Sequence, residues 1–505
     1  MLLKPSIKLN LLASWIAHAV ALVVGFLLMP YVLHTLEDRK YGMWIFINSV
    51  ASYGGLLYLG LGGTIGRFVA ESFARKDWPR LNQVVNVVMS AYIVLGSLAL
   101  LIAGGLAWIA PSLSDWDGES IWEIRAVILV LGVNLAFAMV GSVFGGVLSG
   151  IQRLDVERGI TLAADFLRLG LTLLLLRHDL GLLILASVFL IVTIAENVGY
   201  VFFAYRHVPE LEVHPRFIQP SAIREYLGFS VWSCVGNIAN QLIYATDTVV
   251  IGVILGAKAI VPYSIALRLC HFLRKPISQI GDVCMPKAGE LHATAQSHKL
   301  QSLIERGLGI SVLLTTGAFI GAAYFGDDLI SLWVGTGYEQ SHHLLIVLLG
   351  AQLIALPVSM LRSVMFGMGH VKGPSIMYLS EALTNLLLSI VLAYSLGTMG
   401  VAIGTAIPVI AIELFVVLPY FFRKLRIEPG ELVRKSLGPQ VLPLVAIWVY
   451  SATLNTVPGV AATWPRLIAV TVGGVSALLG TAALQHVVQR RLVKFRIPLA
   501  EVRGM

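Results

Sequence analysis

The stretch RFVAESFARKDWPR, residues 67–80, runs into VVNVVMSAYIVLGSLALLIAGGLAWI, residues 84–109, and then PSLSDWDGES, residues 111–120. The first piece carries the cations Arg67, Arg75, Lys76 and Arg80, the second carries no charge, and the third carries Asp115, Asp117 and Glu119 with no base. A hydrocarbon slab about 30 Å thick needs about 20 apolar residues per helix, and the Lys/Arg bias of short loops sets the side each loop occupies. These three pieces therefore read as a cytoplasmic loop, a membrane span and an outer loop.

The same alternation continues along the chain. Fourteen apolar runs are expected to span, at 11–33, 43–61, 84–109, 126–148, 160–176, 180–204, 229–255, 260–283, 308–325, 344–368, 374–396, 401–422, 437–454 and 467–488. Lys and Arg crowd into every second connection. This predicts an all-α polytopic protein of the inner membrane, with both termini in the cytoplasm. The first run follows Lys4 and Lys8 as a secretory signal would, but it lacks a small-residue cleavage site and is expected to stay as the first helix.

Composition supports this reading. Hydrophobic residues make up 57% of the 505 residues and charged residues 13%, about half the charge of a soluble domain. The formal net charge of +8 is read as topology, and no nucleic-acid partner is expected. Cys234, Cys270 and Cys284 all fall in apolar runs, so free core thiols are expected and no disulfide. Nucleotide, metalloprotease and CxxC motifs are absent, so no cofactor or metal is expected, and no loop is long enough for a soluble catalytic domain. Trp44, Trp108, Trp116, Trp122, Trp333, Trp448 and Trp464 lie near span ends, where interface anchoring accounts for them.

Charge inside the spans carries the functional signal, because each such group needs a partner or a wet cavity. In the eighth span Arg268, His271 and Lys275 share a helical stripe with Arg274 beside it, leaving Ile265, Leu269 and Ile280 to face lipid. A cationic stripe suits an anionic substrate such as a phosphate or pyrophosphate, which the planar arginine fork binds in pairs of oxygens. The alternative is that Arg274 and Lys275 snorkel ahead of Pro276. Asp165 and Arg168, at i, i+3 in the fifth span, form an ion pair or leave the arginine lining a cavity. Arg362, in the tenth span, has the same open readings of cavity or snorkel.

Four acids, Glu196, Asp247, Glu381 and Glu413, lie in spans six, seven, eleven and twelve. With Asp165 they are candidates for ion coupling or charge balance. Asn237, Asn240, Gln241 and Tyr244 precede Asp247 and give the seventh span a polar face. Asp247 is read either as a proton or sodium carrier or as the counter-charge of Arg268. Glu381 with Asn385, and Glu196 with Asn197, are candidates for hydrogen bonding to neighbouring helices.

The chain also matches itself weakly at an offset of 219 residues: Ser14 with Ser233, Gly62 with Gly281, Glu71 with Glu290 and Leu81 with Leu300. Six spans separate the copies, so they share an orientation, as in transporters built from parallel repeats. The connection from Tyr205 to Arg224, with Pro209, Pro215 and Pro220, reads as a cytoplasmic linker between two lobes.

Several local patterns carry a resemblance. Pro30-Tyr31, Leu36, Tyr41-Gly42-Met43-Trp44, Leu59-Gly60-Leu61-Gly62, Arg67 and Ala70 open the chain. Asp247-Thr248-Val249-Val250-Ile251-Gly252, Gly256 and Tyr263-Ser264-Ile265-Ala266 open its second half. Together these resemble the polysaccharide-transporter branch of the MOP exporter superfamily, which includes the flippases of O-antigen and other lipid-linked oligosaccharides. The resemblance implies two pseudo-symmetric six-helix lobes around a central cavity, alternating access, and two extra C-terminal spans. The expected division is an N-lobe at 1–208, a linker at 209–224, a C-lobe at 225–424 and the extra spans at 425–505. It implies an undecaprenyl-pyrophosphate-linked glycan as substrate, for surface or secreted polysaccharide, with Arg268, Arg168 and Arg362 as pyrophosphate ligands. Glycosyltransferases and a polysaccharide polymerase become expected partners. The first span lacks the acid of several drug exporters and the base of the peptidoglycan-precursor flippases. The rival readings are a cation-coupled multidrug or metabolite antiporter of the same superfamily, and a membrane-embedded glycosyltransferase or polymerase.

Overall fold

A computed structural model of the chain describes residues 7–58, 61–113, 120–177, 180–218, 238, 241–243, 245–425, 427–455 and 462–496. Every regular element among these residues is helical. Hydrocarbon offers no partner to an open backbone, so an apolar chain must satisfy its N–H and C=O groups within each segment. The first unit of the chain holds α1 (Ile7–Ser52), α2 (Leu61–Arg75), α3 (Trp78–Leu113), α4 (Ile121–Gly150), α5 (Leu154–Leu175), α6 (Gly181–His207) and α7 (Gln241–Leu255). Then follow α8 (Ala257–Ala293), α9 (Ser297–Val334), α10 (Glu339–Gly367), α11 (Lys372–Ile412), a π-turn at Glu413–Val417 and α12 (Leu418–Leu425). The chain continues through α13 (Pro429–Leu437), α14 (Val441–Asn455) and α15 (Trp464–Arg496). Among the described residues nine helices are long and apolar enough to cross a membrane. The chain is a multi-pass membrane protein, as its apolar runs predict.

Two of these helices each contain a break. In α1 only Glu37 leaves helical geometry, at φ 60° and ψ 166°. In α11 the break is Gly397, at φ 61°, a conformation open to glycine because it has no Cβ to clash. Beyond it, a Cβ on Gly400 would lie 2.0 Å from the Leu392 carbonyl oxygen, and one on Gly404 would lie 2.6 Å from the Ser389 Cα. The helix therefore doubles back in close backbone contact. α5 and α8 are long enough to span but fall outside the nine. Each is broken up by charge, including Asp165 and Arg168 in α5 and Arg268, Arg274 and Lys275 in α8.

Two compact units cover the chain, Met1–Val261 and Pro262–Met505. The boundary lies one span later than the 209–224 linker. The reason is local packing: α7 joins the first unit by a hydrogen bond from Tyr53 to Thr246 and by seating Gly252 against the Phe46 ring. Within the first unit α4 packs on α3 and α6 around Ile65, Val69, Val84, Val88, Tyr92, Val143 and Val147. Within the second, α9 packs on α10 and α14, and Ala288, Ile304, Leu361, Val364 and Phe421 fill the core. Cys270 and Cys284 are buried and free, and Cys234 lies outside the described residues. Interface anchoring fits Trp108 and Trp122, which are 79% and 75% exposed, but not Trp44 or Trp333, which are buried. Those two pack edge-on against Phe189 and at a tilt against Phe272 instead.

The chain leaving α6 is held by two buried asparagines one turn apart on α3. Asn82 donates to the Glu210 carbonyl at 2.9 Å and accepts from the Glu212 N–H at 2.9 Å. Asn86 donates to the Glu212 carbonyl at 2.7 Å and accepts from the His214 N–H at 2.9 Å. The pair thus serves alternate residues of the segment, as a neighbouring strand would. Replacing Asn86 with Leu strands two backbone groups, at about 1–3 kcal/mol each where they are buried. The expected outcome is faster proteolysis within 208–218 in intact membranes. Cleavage at the native rate contradicts the clamp.

Candidate functional site

α8 sets the arrangement of the second unit's candidate site. Ile265, Leu269, Cys270 and Ile277 are buried, and Ile280 packs against the core around Cys284 and Leu361. The expectation that Ile265 and Leu269 face lipid is thereby corrected. The helix buries its apolar stripe in protein and turns its charged stripe outward: Arg268, Lys275 and Asp282, seven residues apart, are all exposed. Burial of an apolar side chain is favourable, whereas an unpaired guanidinium in the core is costly. Pro262, Pro276 and Pro286 each remove a helical hydrogen bond along this face. His271 and Arg274 are half-buried beside the stripe. Arg274 interacts electrostatically with Tyr378 of α11.

Arg362 of α10 also meets Tyr378, its guanidinium 4.5 Å from the ring centre. The Arg362 side chain is only 12% exposed; it hydrogen-bonds to Glu413 and lies 3.9 Å from Glu381. Arg362 is therefore neither at the lipid interface nor on a surface. It is the counter-ion of two buried carboxylates. Two acids and one base leave a net negative charge unless a proton or cation joins them. Glu413 begins the π-turn, a distortion frequent at functional positions. Asn385, one turn from Glu381, is fully buried, and neither amide atom has a hydrogen-bond partner among the described residues.

The first unit holds a second polar seam, between α5 and α6. Asp165 and Arg168 pair at 3.3 Å, and the Arg168 guanidinium sits 5.1 Å from the Phe189 ring centre. Glu196 accepts hydrogen bonds from Tyr200 at 2.8 Å and Thr161 at 3.2 Å. Asn197 donates to the Phe137 carbonyl at 2.8 Å, linking α6 to α4 as expected of a polar residue between helices. Thr161 and Tyr200 escape the sequence reading. Glu157, Thr161, Asp165 and Arg168 recur at i, i+4, i+8 and i+11, a polar stripe visible once hydroxyls are counted with charges. At the end of the seam Arg153 grips Asp155 through both oxygens at 2.9 and 3.0 Å and bonds His207 at 2.7 Å. Partial burial pushes the Asp155 carboxyl up, but the Arg153 bonds outweigh it and hold the group below the usual carboxylate range.

Of the polar face expected on the seventh span, Asn237, Asn240 and Tyr244 lie outside the described residues. Gln241 donates to Ser52. Asp247 is buried near Tyr53, inside the first unit. Beside this group lies a cavity of about 460 Å³ between α1, α3 and α4, walled by Phe46, Val50, Ala51, Ile102, Leu131 and Leu135 among others. It is open on one side, and its walls are almost wholly apolar and carry no charged side chain.

The chain is 20% identical to the uncharacterized membrane protein EpsK of Bacillus subtilis, across 91% of this chain and 92% of that one. It is 21% identical to the probable low-salt glycan biosynthesis flippase Agl15 of Haloferax volcanii, across 36% and 39% of the two chains. Its fold is similar to that of the lipid II flippase MurJ in an inward closed conformation, with a TM-score of 0.70 at 12% identity, covering 96% of this chain and all of that one. It is also similar to an inward-facing multidrug-resistance MATE transporter of the MOP superfamily, with a TM-score of 0.65 at 15% identity, covering 82% and 99%. The resemblance read from Tyr41-Gly42-Met43-Trp44 and its counterparts is borne out. Residues 80–343, just over half of the sequence, match the family described as polysaccharide biosynthesis protein, and the chain belongs to that family.

Proposed function

We propose that the protein moves an undecaprenyl-pyrophosphate-linked oligosaccharide from the cytoplasmic to the outer leaflet of a bacterial inner membrane, by alternating access, for surface or secreted polysaccharide. The observation that carries this reading is the exposed stripe of Arg268 and Lys275 on α8. Exposed bases on a membrane-embedded helix suit a phosphorylated head group, and arginine suits paired oxygens. Membership of a polysaccharide biosynthesis family and the flippase name of the Haloferax relative support a lipid-linked glycan as the cargo. The expected architecture has fourteen spans. They are reached by counting α1 and α11–α12 as two each and adding α5, α7 and α8 to the remaining apolar helices. Six-helix lobes at 1–208 and 225–424, the 209–224 linker, two further spans and cytoplasmic termini complete that reading. The protein is not an enzyme on this account; glycosyltransferases and a polymerase act before and after it.

The Arg362–Glu381–Glu413 centre is the candidate coupling site for an ion. It equally fits the alternative of a cation-coupled multidrug or metabolite antiporter. One comparison separates the two. Arg268→Ala should cut the arrival of lipid-linked sugar in the outer leaflet about ten- to a hundredfold at normal expression, while resistance to cationic dyes stays unchanged. Native translocation in Arg268→Ala rejects the flippase assignment of this residue, and lost dye efflux favours the antiporter.

A further inference from the structure

α5 and α6 are tied together by an antiparallel ladder of contacts. Arg168 lies over Phe189, Thr161 meets Glu196 and Tyr200, and Arg153 meets His207. The last rung differs from the others, because hydrogen-bond chemistry fixes its protonation state. A guanidinium has donors and no acceptor, so in the 2.7 Å contact between Arg153 Nη1 and His207 Nε2 the ring nitrogen accepts. A carbonyl oxygen only accepts, so in the 2.8 Å contact between His207 Nδ1 and the Phe203 carbonyl the ring donates. His207 is therefore neutral, with its one ring proton on Nδ1.

A second proton has to go on Nε2. It takes the lone pair that Arg153 uses and leaves two cationic donors facing each other, so the contact breaks. Both partners have somewhere to go. Arg153 keeps the two oxygens of Asp155. His207 keeps the Phe203 carbonyl at the end of α6, where the helix dipole favours a cation. Asp155 does not titrate with the histidine: burial raises its carboxyl, but the Arg153 bonds outweigh that and hold it below the usual carboxylate range. Of the helices packed on α6, α5 brings Arg153 and Asp155 to the ring, with Glu157 and Arg158 further along it. α4 has its charges, Glu123 and Arg125, at the end that meets Leu183, and α1 meets α6 at Gly181 and Phe189. Arg206, Glu210 and Glu212, the nearest charged residues along the chain, are exposed.

We propose that the Arg153–His207 contact is a proton-released latch on the α5–α6 seam. It holds the start of α5 against the end of α6 while His207 is neutral, and it lets that end of the seam open when His207 gains its second proton. The latch works whatever the protein carries, so it stands apart from the proposed function.

The test is limited trypsin digestion of the full-length protein in nanodiscs at about pH 8 and about pH 5.5, near the two ends of the range in which histidines change charge. Trypsin cuts after an arginine whose side chain can enter the protease. The Arg153 side chain is 14% exposed and that of Arg75 is 67% exposed. Cleavage after Arg153 is read by mass spectrometry as a ratio to cleavage after Arg75, so the pH dependence of the protease itself cancels. The ratio is expected to rise about tenfold on acidification, the value of one hydrogen bond to a charged group. His207→Gln keeps an acceptor that takes up no proton, so its ratio should stay low at both pH values. His207→Lys sets a standing cation against Arg153, so its ratio should stay high at both. NMR of isotope-labelled histidines adds a direct reading: at about pH 8 His207 should carry its proton on Nδ1. A flat ratio in the native chain overturns the latch, as does an equal rise in His207→Gln or a neutral His207 protonated on Nε2.

Discussion

Replacing Arg362 with Leu is expected to destabilise the fold by about 3–5 kcal/mol, the usual cost of removing one partner from a buried ion pair. The cause is what remains. Glu381 and Glu413 are 4% and 2% exposed in their side chains, and no other base is paired with either in the described residues. A leucine fills the volume but not the charge. The midpoint of denaturant unfolding in detergent, followed by tryptophan fluorescence, should fall markedly. Adding Glu413→Gln to the same chain should recover part of the loss, and adding Glu381→Gln as well should recover most of it. Replacing a whole buried ionic group by neutral residues is often close to neutral, whereas breaking one is not. This order distinguishes electrostatics from packing, because a lost packing contact is not restored by changing a carboxylate into an amide. Equal midpoints for the native chain and Arg362→Leu remove the ion pair from consideration.

The sequence made the membrane fold legible because the bilayer imposes length and polarity on each span separately. Even α5 and α8, which carry more charge than the other spans, stand out as apolar runs that each end at a basic loop on one side. Pairings were less legible. Arg362 comes from α10, Glu381 from the first half of α11 and Glu413 from the π-turn after its second half, separated by 19 and 32 positions, and nothing local marks them as partners. From the sequence Arg362, Arg268 and Arg168 carry the same reading, and only the fold takes Arg362 away from the surface while leaving Arg268 on it. Asp165 and Arg168 were different: their spacing of three on one helix makes the pair readable without a structure.

Hydroxyls and amides were the other blind spot. Thr161 and Tyr200 look innocuous in an apolar run because a hydroxyl can satisfy itself on its own helix backbone. Here they converge on Glu196 instead. Asn82 and Asn86 fall at the edge of a predicted loop, where asparagine needs no explanation, yet they hold the segment 126 to 130 residues later. The cavity had no sequence signature, since it is made of small residues on three helices that meet only in the fold. The outward turn of α8 has a misleading signature: apolar residues such as Ile265 and Leu269 suit lipid and a protein core equally well, and here both are buried in protein.

That outward turn leads to the strongest functional effect expected. In a chain carrying both Arg268→Glu and Lys275→Glu, translocation of lipid-linked sugar should fall about a thousandfold or more. A hydrogen bond to a charged group contributes about 1.5–3 kcal/mol, and each 1.4 kcal/mol is about tenfold. Losing the Arg268 contact alone thus accounts for about ten- to a hundredfold. Turning both exposed positions acidic adds repulsion of a pyrophosphate in a setting that screens it poorly. The fold should tolerate the change, since both side chains are exposed and substitutions at such sites usually shift stability by less than about 0.5 kcal/mol. Expression and unfolding midpoint therefore serve as controls that should not move. Arg268→Lys belongs in the same series: it keeps the charge but loses the paired fork, so translocation should land between the native chain and Arg268→Ala. If the reversed chain moves lipid-linked sugar at the native rate while remaining folded in the membrane, α8 does not meet the phosphate, and the head group must be recognised elsewhere in the protein.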